Sequence, residues 1–169
     1  SDLSLHRVAV VAFAATATTT IGLSQDRSAI EAAIDGIGIA PSTNIADAID
    51  TGAEILRLNG RAEAKHVIIL FSDGSPNQPT PDPRTAALRS ANFAKLESVT
   101  LFAIGLGADA DVTLLQGLAS GADHYRFAPA PEDLDAIYES IAVVIAGSAV
   151  TELVVVDDVY PSVSLKPGS

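Results

Sequence analysis

An aspartate stands directly after the most apolar run of this chain. The run His66–Ser72 leads into Asp73, and Gly74 follows. Buried parallel strands read as continuous aliphatic runs, and ligands of open α/β sheets bind at the carboxyl ends of such strands. Asp73 is therefore a candidate catalytic group, metal ligand or helix cap. The ordinary alternative is a turn residue in an Asp-Gly pair.

A second oxygen-bearing side chain precedes a predicted helix. Thr43 lies in the loop before an amphipathic segment that places Ile45, Ile49 and Leu56 on one face. Thr43 could act as the N-cap of this helix, and that role is compatible with ligand binding. Because Thr43 lies just ahead of a helix and Asp73 just after a strand, we expect the two to meet at the carboxyl edge of the sheet.

The elements that must position these residues alternate after an initial hairpin. The apolar runs Arg7–Ala14 and Thr18–Leu23 are too close for a crossover, so they must pair antiparallel. The remaining strands alternate with helices, which predicts a doubly wound, mostly parallel α/β sheet with one antiparallel edge strand and helices on both faces. The predicted helices are one capped by Ser24 or Asp26, one from Ala86 to Leu96 and a short one around Leu114 and Leu118. The predicted strands are one over Val99–Gly107 and an edge strand over His124–Ala128. A last helix begins at Pro131 and directs inward Leu134, Ile137, Tyr138, Ile141 and Ile145.

The composition narrows the class of function. The chain has 169 residues, 48% of them apolar, which is enough for one domain with its own core. A formal charge of −11 disfavours nucleic acid and anionic membranes as partners. No apolar run is long enough to predict a membrane span. Cysteine is absent, so disulfides and thiolate sites are excluded. The absence of Met at the start predicts a mature or excised piece of a longer protein.

The sequence contains no convincing catalytic or nucleotide-binding motif. The segment Gly105–Ala110 fits a dinucleotide fingerprint, but its strand comes late and the helix does not begin at once, so a tight strand exit explains it better. His6, His66 and His124 are far apart in the predicted layout and read as strand-end residues. There is no Gly-x-Ser-x-Gly elbow. We expect a protein that is not an enzyme.

The segments Pro41–Ile49 and Val67–Gly74, at this separation, resemble the von Willebrand factor A family. The likeness extends from about Leu5 to Gly147. In that family a divalent cation is held by an Asp-x-Ser-x-Ser motif on the first strand, a Thr before a later helix, and an Asp before a Gly. The resemblance implies that Thr43 and Asp73 bind Mg²⁺ or Ca²⁺, with Mn²⁺ as a further candidate. Neighbouring hydroxyls that could orient them are Ser42, Ser72 and Ser75, although Ser72 is expected to point into the sheet.

One part of the family's pattern has no counterpart before the first predicted strand. Asp2 and Ser4 imitate half of the Asp-x-Ser-x-Ser motif, but no apolar strand leads into them. Without the family's first strand, two apolar strand edges would face an empty central position, which proteins avoid. We hypothesise that an upstream segment or another chain supplies this strand. The alternative is that Glu152–Asp158 folds back into the position, bringing Asp157 or Asp158 near the metal, although a strand that runs on into Pro161 is awkward in a sheet centre.

Residues 149–169 are predicted to form a tail distinct from the A-type domain over residues 1–148. This tail resembles the opening of a bacterial and archaeal surface repeat of unknown function, and it could begin a β domain or donate its strand to a neighbouring subunit. Together the resemblances imply an extracellular or cell-surface adhesion module that binds an acidic side chain of a protein partner through its cation. The alternatives are a structural subunit of a filament or surface layer with a vestigial metal site, and an intracellular adaptor of ATPase complexes.

Overall fold

The described part of the protein forms a six-stranded sheet with helices packed on both faces. The computed structural model describes residues 6–38, 41–73, 75–130, 133–146 and 151–158. The strands are β1 (His6–Phe13), β2 (Ala17–Ser24), β3 (Lys65–Ser72), β4 (Thr100–Leu106), β5 (Tyr125–Ala128) and β6 (Thr151–Asp158). The helices are α1 (Arg27–Asp35), α2 (Ile45–Asn59), α3 (Pro83–Leu96), α4 (Val112–Leu118) and α5 (Leu134–Ala146), with a 3-10 turn at Ala122–His124.

The strand order is β2-β1-β6-β3-β4-β5. β1 and β2 pair antiparallel, while the other four pairings are parallel. The predicted fold class is therefore confirmed, including the antiparallel edge strand and the edge position of β5. We call the end of the sheet where the parallel strands finish the carboxyl edge, and the opposite end the amino edge.

Each face of the sheet has its own apolar core. On one face α2, α3 and α4 cover a cluster that includes Ile49, Ile68 and Leu115, all fully buried. On the other face α5 buries Leu134, Ile137 and Ile141 against β3 and β4. Aliphatic side chains fill both clusters, as the sequence predicts. Within the described residues, no helix is long and apolar enough to cross a membrane.

Helix starts follow the predicted capping chemistry with one correction. Asp26 caps α1, as predicted, by accepting a hydrogen bond from the Ala29 amide. Thr43 is not the cap of α2, because Asn44 takes that place and accepts from the Asp47 amide at 3.1 Å. Asn ranks above Thr as an N-cap, which explains the one-residue shift.

The helix predicted from Ala86 to Leu96 is α3, and its last residue, Leu96, lies outside the core. Its side chain is 81% exposed, and α3 instead buries Ala87, Ser90, Ala91 and Ala94. Leu96 is the last residue of the helix, and β4 begins four residues later at Thr100. Pro131 and the side chains of Tyr138 and Ile145 lie outside the described residues.

The central position between β1 and β3 is filled by β6 of the same chain. Val8 and Val67 both pair with Leu153, and Val10 and Ile69 both pair with Val155. The hypothesis of a foreign strand is therefore wrong for this structure, and the alternative, in which Glu152–Asp158 folds back, is the one observed. Thr151–Asp158 thus belongs to the sheet of the A-type domain rather than to a separate tail, while residues 159–169 lie outside the described part of the chain.

Candidate metal-binding edge

The segment Thr43–Asn44 bridges the exits of the two strands that flank β6. On one side the Asn44 amide donates to the Ala14 carbonyl at 2.8 Å, and its side-chain Nδ2 donates to the Ala15 carbonyl at 2.9 Å. These carbonyls belong to the turn that follows β1. On the other side Thr43 is bonded to Asn77, in the loop that follows β3. Thr43 therefore lies at the carboxyl edge, across the end of the central strand.

Asn77 holds the Thr43 segment through reciprocal hydrogen bonds. Its Oδ1 accepts from the Thr43 amide at 3.0 Å and from the Ser42 hydroxyl at 2.7 Å, while its own amide donates to the Thr43 carbonyl at 3.0 Å. Ser42 has a φ of 105°, a left-handed conformation that is uncommon outside glycine. Because Asn77 is only four residues past Asp73, the Thr43 and Asp73 loops meet at one edge, as the sequence predicts.

Asp73 emerges at this edge half-buried. It follows Ser72, the last residue of β3, which is fully buried. Burial raises the pKa of Asp73 above its ordinary value of 3.8, a hydrogen bond with its own backbone amide opposes that change, and the nearby Asp109 carboxylate adds to the increase. The charged form of Asp73 is thus disfavoured by its surroundings, which is the situation that a bound cation relieves.

The end of β6 brings two further acidic residues to the same edge. Asp157 pairs with Phe71 on β3 and with Ala12 on β1, and Asp158 pairs with Phe13. This register sets Asp157 two residues before the level of Asp73 on the neighbouring strand, and adjacent strands lie about 4.8 Å apart. The side chains of Asp157 and Asp158 are outside the described part of the structure, so their placement here is that of the backbone.

The hydroxyls predicted to orient the ligands have different neighbours. Ser42 bonds to Asn77, and the Ser75 hydroxyl donates to Asp111 Oδ2 at 3.2 Å. Asp111 also pairs with Arg84 and caps α4 by accepting from the Leu114 amide at 3.1 Å. Asp111 thereby ties the proline-rich loop after Asp73 to the loop after β4.

Two residues that organise this edge were missed by the sequence reasoning. Asn77 lies among four prolines, a segment that reads only as an irregular loop. Asp47 accepts from the Ala17 amide at 2.6 Å and so fixes the β1–β2 turn to the first turn of α2. An acidic residue in a first helical turn suggests a dipole interaction, but nothing local to the sequence identifies its partner in the hairpin.

The backbone of Gly105 packs closely at its strand exit. A Cβ on Gly105 would lie 3.1 Å from both the Ala110 and Leu115 side chains, which is a tight contact. Two of the histidines have separate surroundings: His66 contacts the Arg61 carbonyl at 3.1 Å, and the ring of His124 packs against Phe102 at a tilt of 55°, with ring centroids 4.7 Å apart. Neither of these two sites lies at the carboxyl edge.

The donor set fits a divalent cation in its chemistry. Thr43 and Asp73 are a hydroxyl and a carboxylate, the hard oxygen donors preferred by Mg²⁺, Ca²⁺ and Mn²⁺. Among the side chains that the structure describes, no group of three His, Cys, Asp or Glu residues could hold a metal by itself. A complete shell would therefore combine Thr43 and Asp73 with water, with the end of β6 or with a partner's oxygen.

Comparison with known proteins gives one consistent result. A family profile for the von Willebrand factor type A domain matches residues 3–140. UPF0353 proteins of Mycobacterium ulcerans and Mycobacterium marinum are each 31% identical over 105 residues, which is 58% of this chain and 31% of theirs. The chain thus spans about a third of the length of these curated relatives.

Solved structures share the fold. Proximal thread matrix protein 1 of the mussel byssus, solved with a zinc-occupied MIDAS motif, is 29% identical with a TM-score of 0.65, and the match covers 82% of this chain and 34% of that one. The von Willebrand domain of the type V pilus tip protein Mfa5 of Porphyromonas gingivalis has a TM-score of 0.71 at 16% identity, covering 83% of this chain and 79% of that one. The pilus protein, at this identity, supports the fold alone.

Proposed function

The chain belongs to the von Willebrand factor type A family, and from this premise we propose that it is a metal-dependent protein-binding module. Thr43 and Asp73 would hold the cation, directly or through water, and the end of β6 would offer Asp157 or Asp158 in place of the family's first-strand motif. The bound cation would supply a positive centre for an acidic side chain of a partner. The proposed role is binding and not catalysis.

The single observation that carries this proposal is the Asn77 bridge. Its bonds to Thr43 keep the loop before α2 against the loop after β3, so the two proposed ligands share one edge. The raised pKa of Asp73 adds electrostatic support, since burial and Asp109 both make the site more favourable for a positive ion. The zinc-occupied MIDAS motif of the byssus protein supports metal binding by relatives of this fold.

An extracellular or cell-surface location forms part of the proposal. Its support is the mussel byssus protein among the structural neighbours. The preferred cation is also proposed: oxygen donors favour Mg²⁺ or Ca²⁺, while the byssus protein makes Zn²⁺ necessary to include in any test. The competing function is a structural subunit of a filament or surface layer, in which the same edge binds no metal.

Isothermal titration calorimetry on the metal-free protein tests this proposal. We expect Mg²⁺, Ca²⁺, Mn²⁺ or Zn²⁺ to bind at one site, with binding lost in Asp73→Ala and weakened at least about tenfold in Thr43→Val, which keeps the side-chain shape. Asp50→Ala on the exposed face of α2 and Thr113→Val on α4 are matched controls that should bind normally. Absence of binding by all four ions would favour the structural subunit, and unchanged binding in Asp73→Ala would place the metal elsewhere.

A further inference from the structure

The amino edge of the central strand holds a buried carboxylate between two arginines. Glu152, the second residue of β6, is fully buried. Arg7 on β1 donates from Nε to Oε1 at 3.0 Å and from Nη2 to Oε2 at 2.8 Å, while Arg61 donates from Nε to Oε1 at 2.5 Å. The arginine side chains are only 26% and 31% exposed, so three charges are largely withdrawn from water.

The aliphatic part of β6 specifies its register weakly. Leu153, Val154, Val155 and Val156 follow one another, and each lies against an apolar cluster on one face or the other. A shift by one residue exchanges the faces of these side chains, but three of the four positions stay aliphatic. Hydrophobic burial alone therefore separates the observed register from its neighbours by a small free-energy difference.

The polar residue at the start of the strand discriminates strongly between registers. If β6 moved one residue toward the carboxyl edge, Glu152 would replace Leu153 between Val8 and Val67 and lose both arginines. If it moved the other way, Leu153 would replace Glu152 and leave Arg7 and Arg61 beside an aliphatic side chain. A buried charge without its partner is strongly unfavourable, whereas a paired one fixes a unique arrangement.

We propose that Glu152, through its salt bridges with Arg7 and Arg61, sets the register in which β6 fills the central position of the sheet. The arginine pair acts as a carboxylate-recognising site that selects a strand with an acidic residue directly before its aliphatic run. Each residue of register moves the far end of the strand by about 3.3 Å. Glu152 is thus a positioning residue for Asp157 and Asp158 from the opposite end of β6, and it acts whether or not a metal binds there.

Disulfide trapping tests the register directly, because the chain contains no cysteine of its own. Ile69 pairs with Val155 in the observed register. A cysteine at position 69 is combined with a second cysteine on β6. A bond to position 155 reports the observed register, a bond to 154 reports a shift toward the carboxyl edge, and a bond to 156 reports a shift toward the amino edge. Neighbouring strands about 4.8 Å apart permit such a bond. With Glu152 in place, only the 69–155 bond should form efficiently.

Two variants should move the strand in opposite directions. Glu152→Leu makes the run five aliphatic residues long, so the yield of the 69–154 bond relative to 69–155 should rise at least about tenfold. The double variant Arg7→Met with Arg61→Met leaves Glu152 without partners, so the 69–156 bond should also rise, by a smaller factor because Asp157 would then take the buried position of Val156. Glu54→Leu, which removes an exposed carboxylate whose contact with Arg57 is 3.7 Å long, is the matched control and should change neither ratio.

Unchanged ratios in both variants would overturn the proposal. So would a loss of folding in both variants while Glu54→Leu folds, because the cluster would then only stabilise the sheet and would not select a register. A shift in one variant alone, in the stated direction, would still support a role in setting the register for the residue or residues replaced in that variant.

Discussion

The two ends of β6 differ in how the protein treats its carboxylates. At the amino edge Glu152 is fully buried, and both of its oxygens accept from arginines. At the carboxyl edge Asp73 is half-buried, burial raises its pKa, and the Asp109 carboxylate adds to the increase. The carboxylate at the amino edge is thus paired with opposite charges, whereas Asp73 at the carboxyl edge is affected by a charge of its own sign. Removing a carboxylate should therefore have opposite effects on stability at the two ends.

The largest effect is expected at the amino edge. Glu152→Ala leaves Arg7 and Arg61 partly buried without their shared partner, so the free energy of unfolding should fall by about 3–5 kcal/mol. Glu54→Ala, at an exposed pair, should change it by about 0.5 kcal/mol or less. Urea denaturation followed by circular dichroism measures both. Equal losses of stability in the two variants would contradict the claim that the buried, paired carboxylate contributes more than the exposed one.

Asn77→Ala should have an intermediate effect on stability, and it should also weaken metal binding. It removes the acceptor of the Thr43 amide and the Ser42 hydroxyl, which should lower the free energy of unfolding by about 1–2 kcal/mol. If the proposed site is real, metal affinity should also fall about tenfold, because the Thr43 segment loses its support. Gln116→Ala, on the exposed face of α4, is the control. Normal metal affinity in Asn77→Ala would contradict the role of the bridge.

A pH-dependent effect is expected near the amino edge at His124, just before β5. Desolvation lowers the pKa of His124 below 6.5, and Lys65 and Arg126 act in the same direction. As the pH falls below 6.5, the unfolded chain takes up the proton before the folded protein does, so stability should decrease until the folded-state pKa is passed. His124→Phe should flatten this decrease in thermal unfolding between pH 7.5 and pH 5. The same slope in wild type and variant would refute the assignment.

The smallest effect is the one of opposite sign at the carboxyl edge. In the presence of EDTA, Asp73→Asn should slightly raise the free energy of unfolding at pH 7, because the folded state disfavours the charged carboxylate there. The gain should vanish below pH 3.8, where the carboxyl is protonated in both states. Chemical denaturation at pH 7 and pH 3 compares them. A loss of stability at pH 7 would mean that Asp73 has a stabilising partner in the metal-free protein.

The sequence predicts what depends on local pattern. The hairpin, the position of Asp73 after β3, the cap at Asp26 and the inward face of α5 all follow from periodicity, capping preference and apolar runs within a few residues. The Thr43 cap is off by one residue because Asn44 competes for the same role. Leu96 is apolar but ends its helix, and periodicity alone does not indicate where a helix leaves the core.

The central strand could not be assigned from local pattern, because its neighbours are distant in sequence. Arg7 and Glu152 are 145 residues apart, and no short-range feature of either one names the other as its partner. The aliphatic run that follows Glu152 is typical of a strand buried on both faces. The Pro161 that comes after it disfavours a central strand, so the sequence alone favours a strand from elsewhere. Likewise, Asn77 becomes significant only once the loop before α2 is folded against it.

The most direct test of the account is the position of a bound cation. Crystals of the full chain soaked with Mn²⁺ would reveal the ion by its anomalous scattering. We expect a single strong peak at the carboxyl edge, with oxygens of Asp73 and Thr43 within about 2.0–2.6 Å or joined to the ion through one water. A peak at another site would contradict the proposed metal-dependent function. So would the absence of a peak at this edge both in the wild-type crystals and in crystals of Asp73→Ala.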